Sequence, residues 1–331
     1  MKLVFFGVGH WHSGMHAQAA EAAGAEIVAA WDNEPEKAAA FVAQFGGMVS
    51  PTIEEALALK PDLAVVMGRP AEMAALARRL ILEGVPMLIE KPVGVSGAMM
   101  KPLVDLAEQR NAFVSVALPY CFSPLLAEAD ALRDTNRLGA ISHSHFRLIN
   151  GPPQRYVNDG VAWVLDASVS GGGALRNLGI HGINGFVNLC GGQEITVESV
   201  SFGRQLFDTS VEDYALVVLR AADGTIGVVE AGYTFASMTQ GIFEWRVDAR
   251  NASLTDHGPC LSVLTLDDGK MRERPAMPVV DRYDDIMVNT ISRLCNGGKP
   301  AVTLRDLWRA MDLIDRCYAL SAKRSAPLCL A

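Results

Sequence analysis

Leu88-Ile89-Glu90-Lys91-Pro92 closes an apolar run that begins at Val85. A short uninterrupted apolar run reads as a strand buried on both faces, as in a parallel sheet. Charge arrives at its carboxyl end as a carboxylate, an ammonium and then a proline. In open α/β sheets, ligands bind outside the carboxyl ends of the strands. Pro92 fixes its own φ and disfavours the helical region for Lys91, so Lys91 is expected in an extended pose. A surface ion pair closing a loop would look the same in isolation, so the flanking chain decides.

Upstream, Lys2 to Phe6 reads as an apolar strand, followed by Gly7-Val8-Gly9 and a helical pattern from Met15 to Ala23. Strand, glycine turn and helix begin a dinucleotide-binding unit. Gly7 permits the turn, and Gly9 lets backbone approach a pyrophosphate favoured by the helix N-terminus. The third fingerprint glycine is missing; His12 of His10-Trp11-His12-Ser13-Gly14 stands there. The second strand, Ala25 to Trp31, ends in Asp32-Asn33. A carboxylate there accepts from an adenosine ribose and repels a 2′-phosphate. No arginine lies near it in sequence, so NAD is favoured over NADP. Asp32 also reads as a helix N-cap ahead of Pro35.

The alternation continues: helices at 34–45, 52–58, 72–83 and 96–110, strands at 62–67 and 112–118, and a Gly68-Arg69-Pro70 loop. This predicts an α/β, doubly wound parallel sheet, a Rossmann domain over residues 1–119. Residues 120–331 read as a second, α+β domain. Strands at 140–148, 195–206, 213–221, 225–235, 242–249 and 260–266 suggest an open, mainly antiparallel sheet. Helices at 124–135, 281–296 and 304–322 accompany it. One sheet face is expected on helices, the other on a second subunit. On a helix starting near Gly173, Asn177 and His181 are four residues apart and share a face, with Asn184 three further on. Gly171-Gly172-Gly173 before it would let a backbone or ligand come close. His181 would then meet Lys91 in a cleft between the halves, although a helix histidine is often a hydrogen-bonded core residue.

At 331 residues, with half the chain apolar and a net charge of -8, a soluble globular protein is expected, not a partner of nucleic acid or anionic membranes. Cys121, Cys190, Cys260, Cys295, Cys317 and Cys329 contain no C-x-x-C pair. They read as reduced, mostly buried thiols of a cytoplasmic protein, with no zinc site. Neither a signal peptide nor a membrane span is expected.

Taken together, Gly7-x-Gly9 with His16, Lys60-Pro61-Asp62, Glu90-Lys91-Pro92, Phe122-Ser123-Pro124, the block from Gly171 to Asn184 and the closing helices resemble one family. It is the glucose–fructose oxidoreductase, inositol dehydrogenase and MocA-like family of nicotinamide-dependent oxidoreductases. The resemblance implies hydride transfer between nicotinamide and a hydroxyl-bearing carbon of a sugar, cyclitol or polyol, in a homodimer or homotetramer formed through the C-terminal sheet. It implies that Lys91 binds the reacting oxygen, that His181 exchanges the hydroxyl proton and that Asn177 positions it. Cofactor contacts are expected from Gly7, Gly9, His10, Trp11, His12, Asp32, Asn33, Gly68, Pro70, Glu90, Lys91 and Trp163. The family usually carries aspartate at 177 and 184, where this chain has asparagine, and arginine or asparagine where Tyr120-Cys121 stands. Substrate contacts are sought among Arg147, Arg155, Tyr156, Arg176, His257 and Tyr283. Two rival readings remain. One is a non-catalytic regulator that keeps the cofactor pocket. The other is a metal-dependent hydrolase barrel using His10-x-His12 or His143-x-His145.

Overall fold

The computed structural model describes residues 1–325, so Cys329 and the end of the expected second domain lie outside the described residues. Contacts divide the chain into two compact units. The first comprises Met1–Pro119, Tyr156–Trp163 and Val280–Trp308; the second comprises Tyr120–Arg155, Val164–Val279 and the described residues from Arg309 on.

The first unit holds six parallel strands: β1 (Lys2–Phe6), β2 (Glu26–Trp31), β3 (Met48–Val49), β4 (Leu63–Val66), β5 (Met87–Ile89) and β6 (Val114–Val116). Their order is β3-β2-β1-β4-β5-β6, a Rossmann sheet whose connections reverse between β1 and β4. Leu3 to Phe6 and Leu63 to Val66 are wholly buried, which is why these strands read as continuous apolar runs. β3 carried no such signal, being two exposed residues long. Gly7 has φ +74, and a Cβ there would lie 2.0 Å from the Met67 carbonyl oxygen, so only glycine fits this turn. Thr52 and Ser96 cap their helices by accepting the N–H of Glu55 and Met99. The helix Arg282–Cys295 packs on Ser13–Ala22. Thr290 meets Ser115 at 2.9 Å, and Val116 N–H donates to Val302 at 3.0 Å. Contacts far apart in sequence thus bring 280–308 into this unit.

The second unit is built on an eight-stranded sheet: β7 (Ile141–Ile149), β8 (Ile195–Gly203), β9 (Tyr214–Ala221), β10 (Ile226–Gly232), β11 (Ile242–Ala249), β12 (Ala252–Asp256), β13 (Cys260–Thr265) and β14 (Met271–Pro275). The order is β14-β13-β12-β11-β7-β10-β9-β8, antiparallel except for the β7–β10 pair. Sequence reading missed β12 because a buried aspartate interrupts its alternation. Asp256 is satisfied there by Ser123 Oγ–H at 2.5 Å and Gly258 N–H at 2.8 Å. It missed β14 because all five residues are exposed, including two arginines, a glutamate and a proline, as suits an edge strand.

The helix Ile180–Leu189 lies against the inner sheet face. A Cβ at Gly182 would come within 2.5 Å of Phe146, and one at Gly185 within 2.8 Å of Trp245. A π-helical turn, Leu175–Gly179, precedes this helix, so Asn177 and His181 are not spaced on one regular α-helix as expected. One open parallel sheet and one separate, mainly antiparallel sheet also remove the barrel on which the hydrolase reading depended. No helix among the described residues is long and apolar enough to cross a membrane. Of the described cysteines, Cys190 and Cys317 are buried, Cys121 and Cys260 half-buried and Cys295 exposed, so the thiols are less buried than expected.

Candidate active site

A cleft of about 610 Å³ opens beyond the carboxyl ends of β1, β2 and β4. Gly7, Gly9, His10, Asp32, Asn33, Gly68 and Trp163 line it; Trp11, His12, Pro70, Glu90 and Lys91 are not in that lining. Pro70 instead starts the helix Pro70–Glu83 and is buried. Asp32 holds the glycine loop to β2: Oδ2 accepts Gly9 N–H at 2.7 Å and Oδ1 accepts Glu34 N–H at 3.0 Å. The helix N-cap is Glu34, so the capping alternative for Asp32 is not realised. Asn33 Nδ2 donates to Glu72 at 3.3 Å.

Tertiary structure corrects the expectation that no arginine is near Asp32, since Arg69 and Arg79 share the cleft lining. Arg79 pairs with Glu54 and Glu83, and Arg69 lies 3.9 Å from Glu72. Lys37 was also missed. Its stem lies 2.4 Å from where a Gly9 Cβ would stand, and its Nζ is 2.9 Å from Glu34. The signal was available: Lys37 sits one turn into the helix that follows Asp32.

The residues present fit a dinucleotide. The absence of a Cβ at Gly9 is what admits the Lys37 stem and the Asp32 carboxylate beside the loop. His10 is buried, and its Nδ1 accepts His12 N–H at 3.2 Å, which leaves the hydrogen on Nε2. That Nε2 has no hydrogen-bond partner among the described residues, so a donor in the cleft wall awaits an acceptor. Burial, with His12 adding to it, holds the His10 imidazole well below the usual histidine range.

Glu90 is 1% exposed. Its Oε1 lies 3.0 Å from His12 Nδ1, 2.9 Å from His16 Nε2 and 3.2 Å from Tyr283 Oη. Its Oε2 accepts Lys91 N–H at 3.1 Å. Although burial opposes its charge, these histidine partners hold the carboxyl well below the usual range. The Lys91–Pro92 peptide is cis. Burial pushes the Lys91 ammonium down to about 8, with Glu90 pulling the other way. Tyr283, marked as a candidate substrate contact, thus joins the Glu90 cluster.

Around this cluster lies an aromatic wall. Trp11 stacks on His10 at 3.9 Å and stands 5.9 Å from Trp163 and 6.1 Å from Tyr156.

The second unit carries the other expected residues. His181, in the helix Ile180–Leu189, is 6% exposed, and its ring is 4.7 Å from that of Tyr120. Asn177 Nδ2 donates to Tyr233 Oη at 3.1 Å. Asn184 Oδ1 accepts Cys121 S–H at 2.8 Å and Asn188 Nδ2–H at 3.2 Å. Of the two neighbours expected at the glycine triplet, a backbone or a ligand, the structure places the protein itself there. A Cβ on Gly172 would stand 2.1 Å from Tyr318 Oη, and one on Gly173 2.3 Å from the Glu212 carbonyl oxygen. Glu212 accepts the N–H groups of Gly173 and Leu175 at 3.0 Å, and Tyr318 O–H at 2.8 Å.

Of the marked arginines, Arg176 is buried and bound to Asp315 at 2.7 Å, and Arg147 pairs with Glu230 on the outer sheet face. His143 and His145 sit on that face opposite Asp248 and Glu230, each at 3.2 Å. Among the described residues, no three His, Cys, Asp or Glu side chains converge as metal ligands.

Residues 1–118 match the model of the GFO_IDH_MocA oxidoreductase family, NAD-binding Rossmann fold, and residues 126–252 match the GFO/IDH/MocA C-terminal domain. The chain belongs to this family. It is 26% identical over 227 residues to the myo-inositol dehydrogenase Hyg17 of Streptomyces leeuwenhoekii, covering 66% of each chain. It spans no more than 66% of the length of the curated relatives it matches. Its fold is that of a levoglucosan dehydrogenase in complex with NADH and levoglucosan, with TM-score 0.86, 17% identity and coverage of 98% of both chains. It is also that of an inositol dehydrogenase homologue complexed with NAD+ from Azotobacter vinelandii, with TM-score 0.86, 17% identity and coverage of 98% and 96%.

Proposed function

We propose that the protein is an NAD-dependent dehydrogenase acting on a hydroxyl-bearing carbon of a sugar, cyclitol or related polyol. The observation that carries this reading is Lys91, a buried ammonium drawn down to about 8 at the carboxyl end of β5, in a chain of this family. Residues 1–119, joined by 156–163 and 280–308, would supply the cofactor domain, and the rest of 120–331 the substrate and oligomerisation domain.

Nicotinamide, when bound, supplies the hydride acceptor or donor. Lys91 donates a hydrogen bond to the reacting oxygen and lowers the cost of alkoxide character there. His181 accepts the hydroxyl proton during oxidation and returns it in the reverse direction, as an imidazole near neutrality can. Asn177 positions His181. Asp32 supports NAD over NADP, because a carboxylate repels a 2′-phosphate. The engagement of Arg147 and Arg176 with carboxylates supports an uncharged substrate. The half-exposed outer face of the sheet supports self-association into a homodimer or homotetramer, and the reduced thiols support a cytoplasmic location.

The test is a fluorescence titration with NADH and NADPH, followed by a panel of neutral polyols with NAD. Tighter NADH binding, and a polyol-dependent reduction lost in Lys91→Ala and His181→Ala, is the expected result. Failure to bind either nucleotide would overturn the reading. Asn177 and Asn184, where the resemblance implies carboxylates, favour the second reading, a cofactor-binding regulator; binding with no turnover on the panel would put it ahead.

A further inference from the structure

Resting on the dehydrogenase reading, we infer that His12 is a positioning residue that ties the cofactor-binding loop to Lys91 through the Glu90 carboxylate. His12 occupies the loop position of the missing third glycine and is the N-cap residue of the helix Ser13–Ala22, where a diphosphate would settle. Yet its side chain makes no capping hydrogen bond. It turns away from the helix, to Glu90 Oε1 at 3.0 Å and Tyr283 Oη at 2.8 Å. The opposite oxygen of the same carboxylate holds Lys91 N–H at 3.1 Å. A continuous hydrogen-bonded path therefore runs from the helix N-terminus through His12 and Glu90 to the backbone of Lys91.

Protons are consistent along this path. Ionised Glu90 only accepts, His16 donates from Nε2, and Tyr283 donates to Oε1 while its lone pair faces His12 Nδ1–H. The groups facing His12 are Glu90 at the end of β5, Tyr283 from the helix Arg282–Cys295, His10 and Trp11 from its own loop, and, at longer range, Lys91 and His16. A buried carboxylate that loses one of its donors turns or admits water. Either response relaxes the turn that presents Lys91.

Asparagine and glutamine separate a tether from a space-filler. Asparagine places an amide near the position of Nδ1 in a smaller side chain; glutamine fills more of the space but places its amide nearer Nε2. The experiment uses the full chain with His12→Asn, His12→Gln and His12→Ala. Competitive acetylation of the cofactor-free protein, read by mass spectrometry across pH, gives the titration midpoint of Lys91. Fluorescence gives the NADH Kd.

His12→Asn is expected to match the native protein in both. In His12→Ala and His12→Gln the Lys91 midpoint should shift by at least the half unit that makes a threefold change in protonation ratio, upward where admitted water relieves its desolvation and downward where Glu90 turns away. NADH Kd should weaken at least threefold in the same two variants. Any other pattern overturns the inference, including native-like His12→Gln or an Asn variant as impaired as Ala. If His12→Ala does not fold, the Asn–Gln contrast still decides. If the native protein binds no NADH, the dehydrogenase reading fails, and the Lys91 midpoints alone decide the tether.

Discussion

Asn177 donates from Nδ2 to the hydroxyl of Tyr233 at 3.1 Å, and Tyr233 is wholly buried. A neutral amide held this way orients without adding charge. Asn177→Asp can keep the contact by accepting from the same hydroxyl while adding a negative charge one turn before His181. A nearby carboxylate favours imidazolium. The acidic limb of the kcat/KM profile for polyol oxidation is therefore expected to move up by about one pH unit. An unmoved limb would separate residue 177 from the titration of His181.

Glu90→Gln removes the one charge that raises the Lys91 pKa against its burial. The lysine should then lose its proton below the native value of about 8. The alkaline limb of kcat/KM should move downward by about one unit, roughly a tenfold loss above it. A pH profile from 6 to 10 on the two proteins checks this.

His10 and His12 are both held below the ordinary histidine value of 6.5 by burial. With a depressed folded pKa, the unfolded chain binds protons first as pH falls. Stability is therefore retained above 6.5 and lost on acidification below it, by up to about 1.4 kcal/mol per pH unit for each histidine. Urea midpoints at pH 7.5, 6.0 and 5.0 should fall in that order. The fall should be shallower in His10→Asn, and a parallel fall in that variant would assign the acid lability elsewhere.

Asp32 braces the glycine loop with Oδ2, which accepts Gly9 N–H, and holds the start of the next helix with Oδ1, which accepts Glu34 N–H. Asp32→Asn removes the charge while leaving one oxygen to accept. NADH affinity is expected to fall about tenfold, the loss of one charge-assisted hydrogen bond, while NADPH affinity holds or improves with Lys37 and Arg69 in the cleft. Paired titrations at fixed ionic strength read the ratio; an unchanged ratio would remove Asp32 as the selector.

Gly182→Ala would place a methyl 2.5 Å from the Phe146 ring, beneath the helix that carries His181. Overpacking of this kind costs about 1–3 kcal/mol, since helix or ring must shift. Denaturant midpoints should show that loss, and Phe146→Leu should recover part of it in the double variant.

Much of the architecture was written locally. Buried parallel strands must be apolar on both faces, so β1, β4 and β5 stood out in the sequence, and Gly7, Asp32 and Lys91 could be placed at strand ends by counting. The same logic failed where an element lacked its ordinary composition. β3 is too short and exposed to carry a pattern, and β12 hides an aspartate where alternation calls for an apolar residue.

What the sequence by itself determined was the alternation of strand and helix, the place where the alternation changes character and the residue types at strand ends. Those follow from the hydrophobic and backbone requirements of single elements. Only tertiary structure decided which side chains meet. Glu90 takes donors from positions 78 and 193 residues away, in His12 and Tyr283. The glycine triplet serves Tyr318 and Glu212, and Arg176 is taken by Asp315. Hydrogen bonds and ion pairs act over a few ångströms, and chain topology sets those distances; no periodicity in the sequence encodes them.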